Sequence, residues 1–288
     1  MLVFDSSSST GSDRSKSLSL GNTFIAAILI GSGLVHLFLV SIDATPWDAP
    51  TSFRKPALFG ISTGLTLWSC DWCFGQLRRF AWSEVMRLIL GVSLLLEVGL
   101  ITLQTWRGEA SHFNRAGILN ASIEFGMLVL IVIAMAIVLT LAIRSSLGEF
   151  RHDVSRSMRN AIWWGLQYLV ISGCIGFVIT FVGHAQQLSG RPPGIWGERG
   201  VLKFPHGVAI HAIQSLALIG WVSERLVKKH SVALVRSVAF LHGVVLLVAI
   251  HHTVQGRGRF EFDVGSWVIS TIGLGCCLAP FAISDESK

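Results

Sequence analysis

Eight long apolar runs, separated by short polar segments, limit the folds that this chain can adopt. A helix needs about 20 mostly apolar residues to cross the hydrocarbon core of a bilayer. Backbone groups in lipid must bond within a helix or a closed barrel, and barrel strands alternate over about ten residues, unlike these runs. The sequence therefore predicts an all-α fold, a polytopic membrane helical bundle of about eight transmembrane helices. The runs cover approximately residues 22–42, 56–75, 84–106, 117–143, 160–184, 205–226, 233–254 and 265–283.

Charged residues are scarce, and most of them lie between the runs. They make up 14% of the chain, which has a net charge of +6, whereas soluble domains contain roughly 25% charged residues. This composition excludes an ordinary soluble enzyme, and the position of the charges in short loops excludes a nucleic-acid partner. With the N-terminus inside, fourteen Lys and Arg residues lie in inner segments and nine in outer ones. This bias predicts that both termini are cytoplasmic and that the lipid bilayer is the main partner.

The runs divide into two groups of four. The serine-rich start of the chain lacks the apolar residues needed to pack, and a basic segment separates the fourth run from the fifth. Low hydrophobicity of this kind is typical of disordered segments. We therefore expect a disordered cytoplasmic tail (1–20), a first four-helix membrane unit (21–145), a basic cytoplasmic loop (146–159) and a second four-helix membrane unit (160–284).

Matching residues near helix ends indicate that the two groups are repeats. Trp47 and Pro56 are nine residues apart, and so are Trp196 and Pro205, 149 positions later. Two copies with four crossings each would point the same way, which predicts a pseudo-two-fold axis along the membrane normal. The alternative is chance matching, because Trp and Pro are common at helix ends.

Polar residues in and between the third and fourth runs indicate a site on the predicted outer side. Glu97 lies inside the third run, and Gln104, seven residues later, shares its helix face. Ionisable groups at membrane depth are costly and usually face a bundle interior or a wet cavity. We predict catalytic roles for Glu97, His112 and Glu124. The alternative is that these polar residues cap helices and form interhelical hydrogen bonds.

A second polar segment opens the sixth run. His206 and His211 are five residues apart, about 140° around a helix, so both cannot face one small metal ion. His211 and Gln214 are three residues apart and share a face. This spacing allows one histidine to bind a cofactor inside the bundle while the other lies at its mouth. The alternative is that His211 is a structural histidine with its hydrogen bonds satisfied.

Imidazoles that face inward from different helices can ligate haem, and imidazole also suits copper, zinc and non-haem iron. His36 and His184, which end the first and fifth runs 148 residues apart, and His211 are the best-placed haem ligands. Covalent haem is excluded because the chain has no CxxCH stretch. We therefore predict haem b or a transition metal (iron, copper or zinc), with Asn114 and Gln214 beside the cofactor. The candidate metal ligands are His112, His184, His206, His211 and His252.

Three motifs carry a resemblance. They are Gln104-x-x-Arg107-Gly108-x-x-Ser111-His112-Phe113-Asn114, then Gly183-His184-Ala185, then Pro205-His206-x4-His211-Ala212-x-Gln214. With them the chain resembles, from about Trp47 to Arg257, a family of uncharacterised polytopic bacterial membrane proteins. The resemblance implies a bacterial cytoplasmic membrane and adds weight to the histidines, Asn114 and Gln214 in the motifs, but it implies no reaction. His36 is not part of the pattern. The four-plus-four layout is also similar to that of haem A synthase, whose ligand motifs do not match here.

Two functions fit these patterns. The first is a haem- or metal-binding membrane protein for electron transfer, or a membrane oxidoreductase, with a quinone or another redox protein as partner; most of the ten histidines lie on the predicted outer side. The alternative is a proton-coupled transporter or channel for a small ion or polar solute, with Glu97 and Glu124 as the ionisable groups. The scarcity of Gly and Pro in the middle of the runs disfavours transporters with broken helices. The sequence leaves the metal, the substrate and the oligomeric state open.

Overall fold

A computed structural model describes the backbone of residues 7–277 and the side chains from Ser19 onward. These residues form helices linked by short loops, with one small hairpin of β1 (Ile195–Trp196) and β2 (Gly200–Val201). A 3-10 turn, Lys228–His230, separates α7 from α8. The helices are α1 (Ser7–Ile42), α2 (Arg54–Gln76), α3 (Ser83–Trp106), α4 (Gly117–Ser146), α5 (Arg156–Leu188), α6 (Lys203–Ile210), α7 (Ala212–Leu226), α8 (Ser231–Val254) and α9 (Val264–Cys277).

The predicted all-α fold with about eight helices is confirmed. Within the described residues, six segments are long and apolar enough to cross a membrane, and α6 and α7 together form one of them. The helix α2 is less apolar, and α9 reaches the end of the described residues, so the predicted end of the last run lies outside them. The helix α1 begins at Ser7, inside the segment predicted to be a tail; residues 1–6 of that tail lie outside the described residues.

The chain forms two compact units that divide within α4, between Ile137 and Val138. Unit 1 is centred on a close packing of α1 against α2. A Cβ atom added to Gly60 would lie 2.7 Å from the carbonyl oxygen of Leu29 and 2.8 Å from the Cα atom of Gly33. Small residues let transmembrane helices approach in this way, and Gly60 and Gly64 form a GxxxG pattern.

Unit 2 is built on α5, which packs against α6, α7 and α8 around an alanine-rich core. Gly165 of α5 lies against Ile213 of α7, where an added Cβ atom would come within 2.8 Å of the Ile213 Cα atom. Tyr168 spans the core and donates a hydrogen bond to the carbonyl oxygen of Ala239 at 2.7 Å. Close helix contacts therefore position the polar residues of α6 and α7 inside the unit.

Candidate functional site

Glu97 is a buried acid in the middle of α3. Only 8% of its surface is exposed to solvent. It has no hydrogen bond or ion pair with any residue that the structure describes. It lies nine residues before the end of α3 at Trp106, which is about 14 Å along the helix axis. Glu97 therefore lies close to the middle of a membrane-spanning helix.

A group of polar residues, here called the outer network, lies at the end of unit 1 that is predicted to face outward. Gln104 and Arg107 each donate a hydrogen bond to Asn120 Oδ1 at 3.1 Å. Arg107 also donates to the side-chain oxygen of Gln104. Asn114 donates to Glu109 Oε2 at 2.9 Å. Because Gln104 is two helical turns beyond Glu97 on the same buried face, the network lies between Glu97 and this end of the helix.

Glu124 stabilises the loop that connects α3 to α4. Its Oε1 accepts a hydrogen bond from the backbone N–H of Phe113 at 2.9 Å, and its Oε2 lies 3.4 Å from Nε of Arg115. Phe113 has a φ of 60°, a conformation that L-residues seldom adopt. The bond to Glu124 holds this loop in place, and the catalytic role of Glu124 stays a prediction.

His112 lies in the same loop, where it forms a small polar group with Ser111 and Lys55. Its Nδ1 is 3.0 Å from Oγ of Ser111, which also lies 3.4 Å from Nζ of Lys55. The imidazole ring is 5.7 Å from the ring of Phe59, centroid to centroid. The predicted catalytic and metal-binding roles of His112 are untested by this arrangement.

Both ring nitrogens of His36 are engaged in hydrogen bonds within unit 1. Nδ1 lies 2.7 Å from the carbonyl oxygen of Ser32 and is the donor of that bond. Nε2 accepts a hydrogen bond from the indole N–H of Trp106 at 3.0 Å. A haem iron could bind Nε2 only if the Trp106 indole moved away. His184, the other half of the predicted haem pair, is half-buried near the end of α5 in unit 2.

The sixth apolar run contains a break at His211. This residue has φ −91° and ψ 1°, and it separates α6 from α7 within the span Lys203–Leu226. Before the break, Nδ1 of His206 lies 2.9 Å from the carbonyl oxygen of Ser172 and 3.0 Å from its Oγ. Nε2 of His206 has no hydrogen-bond partner among the described residues. The side chain of His211 itself is exposed.

Gln214 lies just after the break, halfway along the span. Both polar atoms of its carboxamide are buried, and neither has a hydrogen-bond partner within the described part of the chain. The next residue, Ser215, is paired with Nε2 of His242 at 2.9 Å. A buried carboxamide without partners costs about 1–3 kcal/mol, so Gln214 is the unusual group of this segment.

Histidines also connect the end of α8 to the start of α9. His252 is fully buried, with Nδ1 3.1 Å from the carbonyl oxygen of Arg259 and Nε2 2.6 Å from Oγ of Ser266. Nε2 of His251 lies 3.1 Å from Asp263. The backbone N–H and hydroxyl of Ser266, and then the His251 ring, lower the pKa of Asp263 well below its usual range. His252 therefore has both nitrogens occupied, and its predicted role as a metal ligand stays a prediction.

The predicted metal ligands do not assemble into a conventional ligand set. Among the described residues, no group of three or more His, Cys, Asp or Glu side chains could hold a metal ion. A haem iron needs only two axial ligands. Nε2 of His206 and Nδ1 of His251 each lie outside the hydrogen bonds given above for those rings. Haem or a metal stays a prediction.

A buried ion pair in unit 1 is the main feature that sequence reasoning missed. Arg87 of α3 binds Asp71 of α2 through Nε at 3.0 Å and Nη2 at 2.9 Å. Asn22 and Ser19 of α1 donate to the same carboxylate at 2.8 and 2.9 Å. The sequence did contain a signal for this pair, because Asp71 and Arg87 lie at the predicted inner ends of two consecutive apolar runs.

Comparisons with protein-family models, with curated proteins and with solved structures find no match to this chain. The fold and its apolar helices define a polytopic α-helical integral membrane protein. Two sites are distinctive. In unit 1, the buried acid Glu97 has no partner among the described residues, and in unit 2, the helix break at His211 is followed by the unpartnered carboxamide of Gln214.

Proposed function

We propose that the chain is a proton-coupled transporter or channel for a small ion or polar solute, in which Glu97 carries the proton or cation. The observation that supports this function is the burial of Glu97 without a partner among the described residues. Taking an ionised carboxylate out of water costs several kcal/mol when nothing compensates its charge. Ionisable residues are retained at such positions mainly for function.

The surroundings of Glu97 favour access from the predicted outer side. The outer network begins at Gln104, on the same face of α3, and supplies hydrogen-bonding groups towards the helix end. In the other direction the same face continues with Leu94 and Leu90, which are 7% and 1% exposed. The fully buried Ile101 lies between Glu97 and Gln104 on this face, so water or a local movement must bridge one helical turn. The outer network, which begins seven residues from Glu97, is the expected route. With both termini in the cytoplasm, this route opens to the extracytoplasmic side.

Proton movement into proteoliposomes tests this function. Purified protein is reconstituted with a trapped pH-sensitive dye, and flux is followed under a potassium–valinomycin potential and under gradients of small solutes. We expect protein-dependent proton movement that Glu97→Gln abolishes and Glu97→Asp partly keeps. Glu198→Gln, which changes an exposed acid in the hairpin loop, serves as the matched control. Flux that is equal in the wild type and in Glu97→Gln would refute the role of Glu97.

The second candidate function is the binding of haem or a transition metal for electron transfer or oxidoreduction. The observation in its favour is His206, whose Nδ1 is directed at the carbonyl oxygen of Ser172 while Nε2 is left without a described partner. Metal-bound histidines usually donate their other N–H to a carbonyl or carboxylate. Metal analysis and an ultraviolet–visible spectrum, oxidised and reduced, test this candidate. A Soret band or bound metal that is lost in His206→Ala would support it, with a quinone or redox protein as the expected partner.

A further inference from the structure

The break at His211 combines a helix N-terminus with an unsatisfied polar side chain in the middle of a membrane-spanning segment. The helix α7 is 15 residues long and begins at Ala212, so its first N–H groups face the break and carry the positive end of its dipole. Helix N-termini exposed by such breaks bind anionic groups in membrane transporters. Gln214, close to this N-terminus, adds a buried polar side chain without partners among the described residues.

Gln214 is the third residue of α7, and its carboxamide is buried without partners in the described structure. Side chains on a helix lean towards its N-terminus, and for the third residue of α7 that is the side of the break. Its nitrogen is a donor, and its oxygen is an acceptor that needs a donor from elsewhere. A ligand that satisfies both atoms must therefore offer an acceptor and a donor together.

The charges of unit 2 indicate the sign of that ligand. The helices α5, α6, α8 and α9 contain no Asp or Glu, and the only acid in α7 is Glu224 near its far end. Glu224 accepts hydrogen bonds from Ser155 and Ser157 at that end. The segment before the break carries one cation, Lys203, instead. A cation would find no counter-charge on these helices, whereas an anion would be attracted.

We propose that the break at His211 binds a small oxyanion that keeps a hydrogen-bond donor, such as a hydroxycarboxylate or dihydrogen phosphate, between the N-terminus of α7 and the Gln214 carboxamide. The oxyanion accepts from the α7 N–H groups and from Gln214 Nε2, and its O–H donates to Gln214 Oε1. Identifying this ligand as the transported solute rests on the proposed transport function; its binding does not.

Thermal unfolding of the full-length protein in detergent, with and without ligand, tests this site. The probes are L-lactate and inorganic phosphate, and acetate, which lacks a donor once ionised, is the control anion. A ligand at 100 times its dissociation constant should raise the unfolding midpoint by about 5–10 °C. We expect lactate or phosphate to do this for the wild type, and acetate to have a smaller effect.

Substitution of Gln214 decides the outcome. Gln214→Met should raise the midpoint without ligand, because an unsatisfied carboxamide is replaced by an apolar group of similar size, and should abolish the ligand-induced shift. Gln167→Met, on α5, is the matched control that keeps the shift, and Gln214→Ala repeats the test if Met disturbs folding. The proposal is overturned if neither probe shifts the wild type, or if the shift persists in Gln214→Met. Glu97→Gln should keep the shift, so a failure of transport and a failure of this site are distinguishable.

Discussion

Breaking the buried ion pair between Asp71 and Arg87 should destabilise unit 1 strongly. The side chains are 4% and 6% exposed, and removing one partner of such a pair typically costs about 3–5 kcal/mol, because the other charge stays buried and uncompensated. Arg87→Met should therefore lower the unfolding midpoint by about 6–20 °C, at about 2–4 °C per kcal/mol for a chain of this size. The double variant Asp71→Leu/Arg87→Met should lose less, about 1–3 kcal/mol, because both buried charges of the pair are removed. The Asn22 carboxamide then lacks one partner, and Glu84, which is 3.8 Å from Nη1 of Arg87 and partly exposed, loses its ion pair.

The native cysteines beside Asp71 provide the assay. Cys70 and Cys73 are 0% exposed, so a thiol-reactive fluorophore should label them only when this part of unit 1 unfolds. The other three cysteines, Cys174, Cys276 and Cys277, are first changed to Ser to remove their background. Arg156→Met, which changes an exposed arginine at the start of α5, is the control. The reasoning is refuted if Arg87→Met shifts the midpoint no more than this control, or if the two single substitutions add up to the double one.

Three further changes have defined outcomes. Gln214→Met should stabilise the ligand-free protein by about 1–3 kcal/mol, measured by thermal unfolding; a loss of stability would show that the carboxamide has a partner. Trp106→Phe removes the indole donor to His36 and should cost about 0.5–1.5 kcal/mol, with no loss when His36 is already Ala. Because hydrogen bonds from Ser266 lower the pKa of Asp263 in the folded state, its contribution to stability is present above about pH 4, the usual Asp pKa, and is lost as the pH falls below it. Unfolding midpoints at pH 7 and pH 3 should therefore differ more for the wild type than for Asp263→Asn, and equal differences would contradict this assignment.

The sequence predicted the helices well, because hydropathy and length decide which segments can cross a bilayer. Predicted ends such as 84–106 lie within a residue of the helix Ser83–Trp106. The break at His211 was not predicted, since the sequence of α6 and α7 has neither a proline nor a glycine at that position. Local helix propensity therefore did not predict this break, which is seen only in the folded unit.

The candidate sites were harder to predict because partners far apart in the chain decide what each side chain does. His36 has the position of an inward-facing ligand, but Trp106, 70 residues later, occupies its Nε2. Glu124 is at membrane depth but is bound to the loop at Phe113. Periodicity places a side chain on a face, whereas only tertiary contacts show whether its hydrogen bonds are already made. Glu97 and Gln214 are the two predicted residues that remain without partners in the described structure.

Labelling of Glu97 by dicyclohexylcarbodiimide, a hydrophobic reagent that couples to protonated carboxyl groups, is the most direct test of the central claim. The modified residues are identified by peptide mass spectrometry after treatment of the protein in lipid nanodiscs. The proposed role predicts that Glu97 is modified in preference to Glu224, whose carboxylate accepts hydrogen bonds from two serines, and that proton flux falls in proportion to the modification. A Glu97 that stays unmodified, or that is modified while flux is unchanged, would contradict the account.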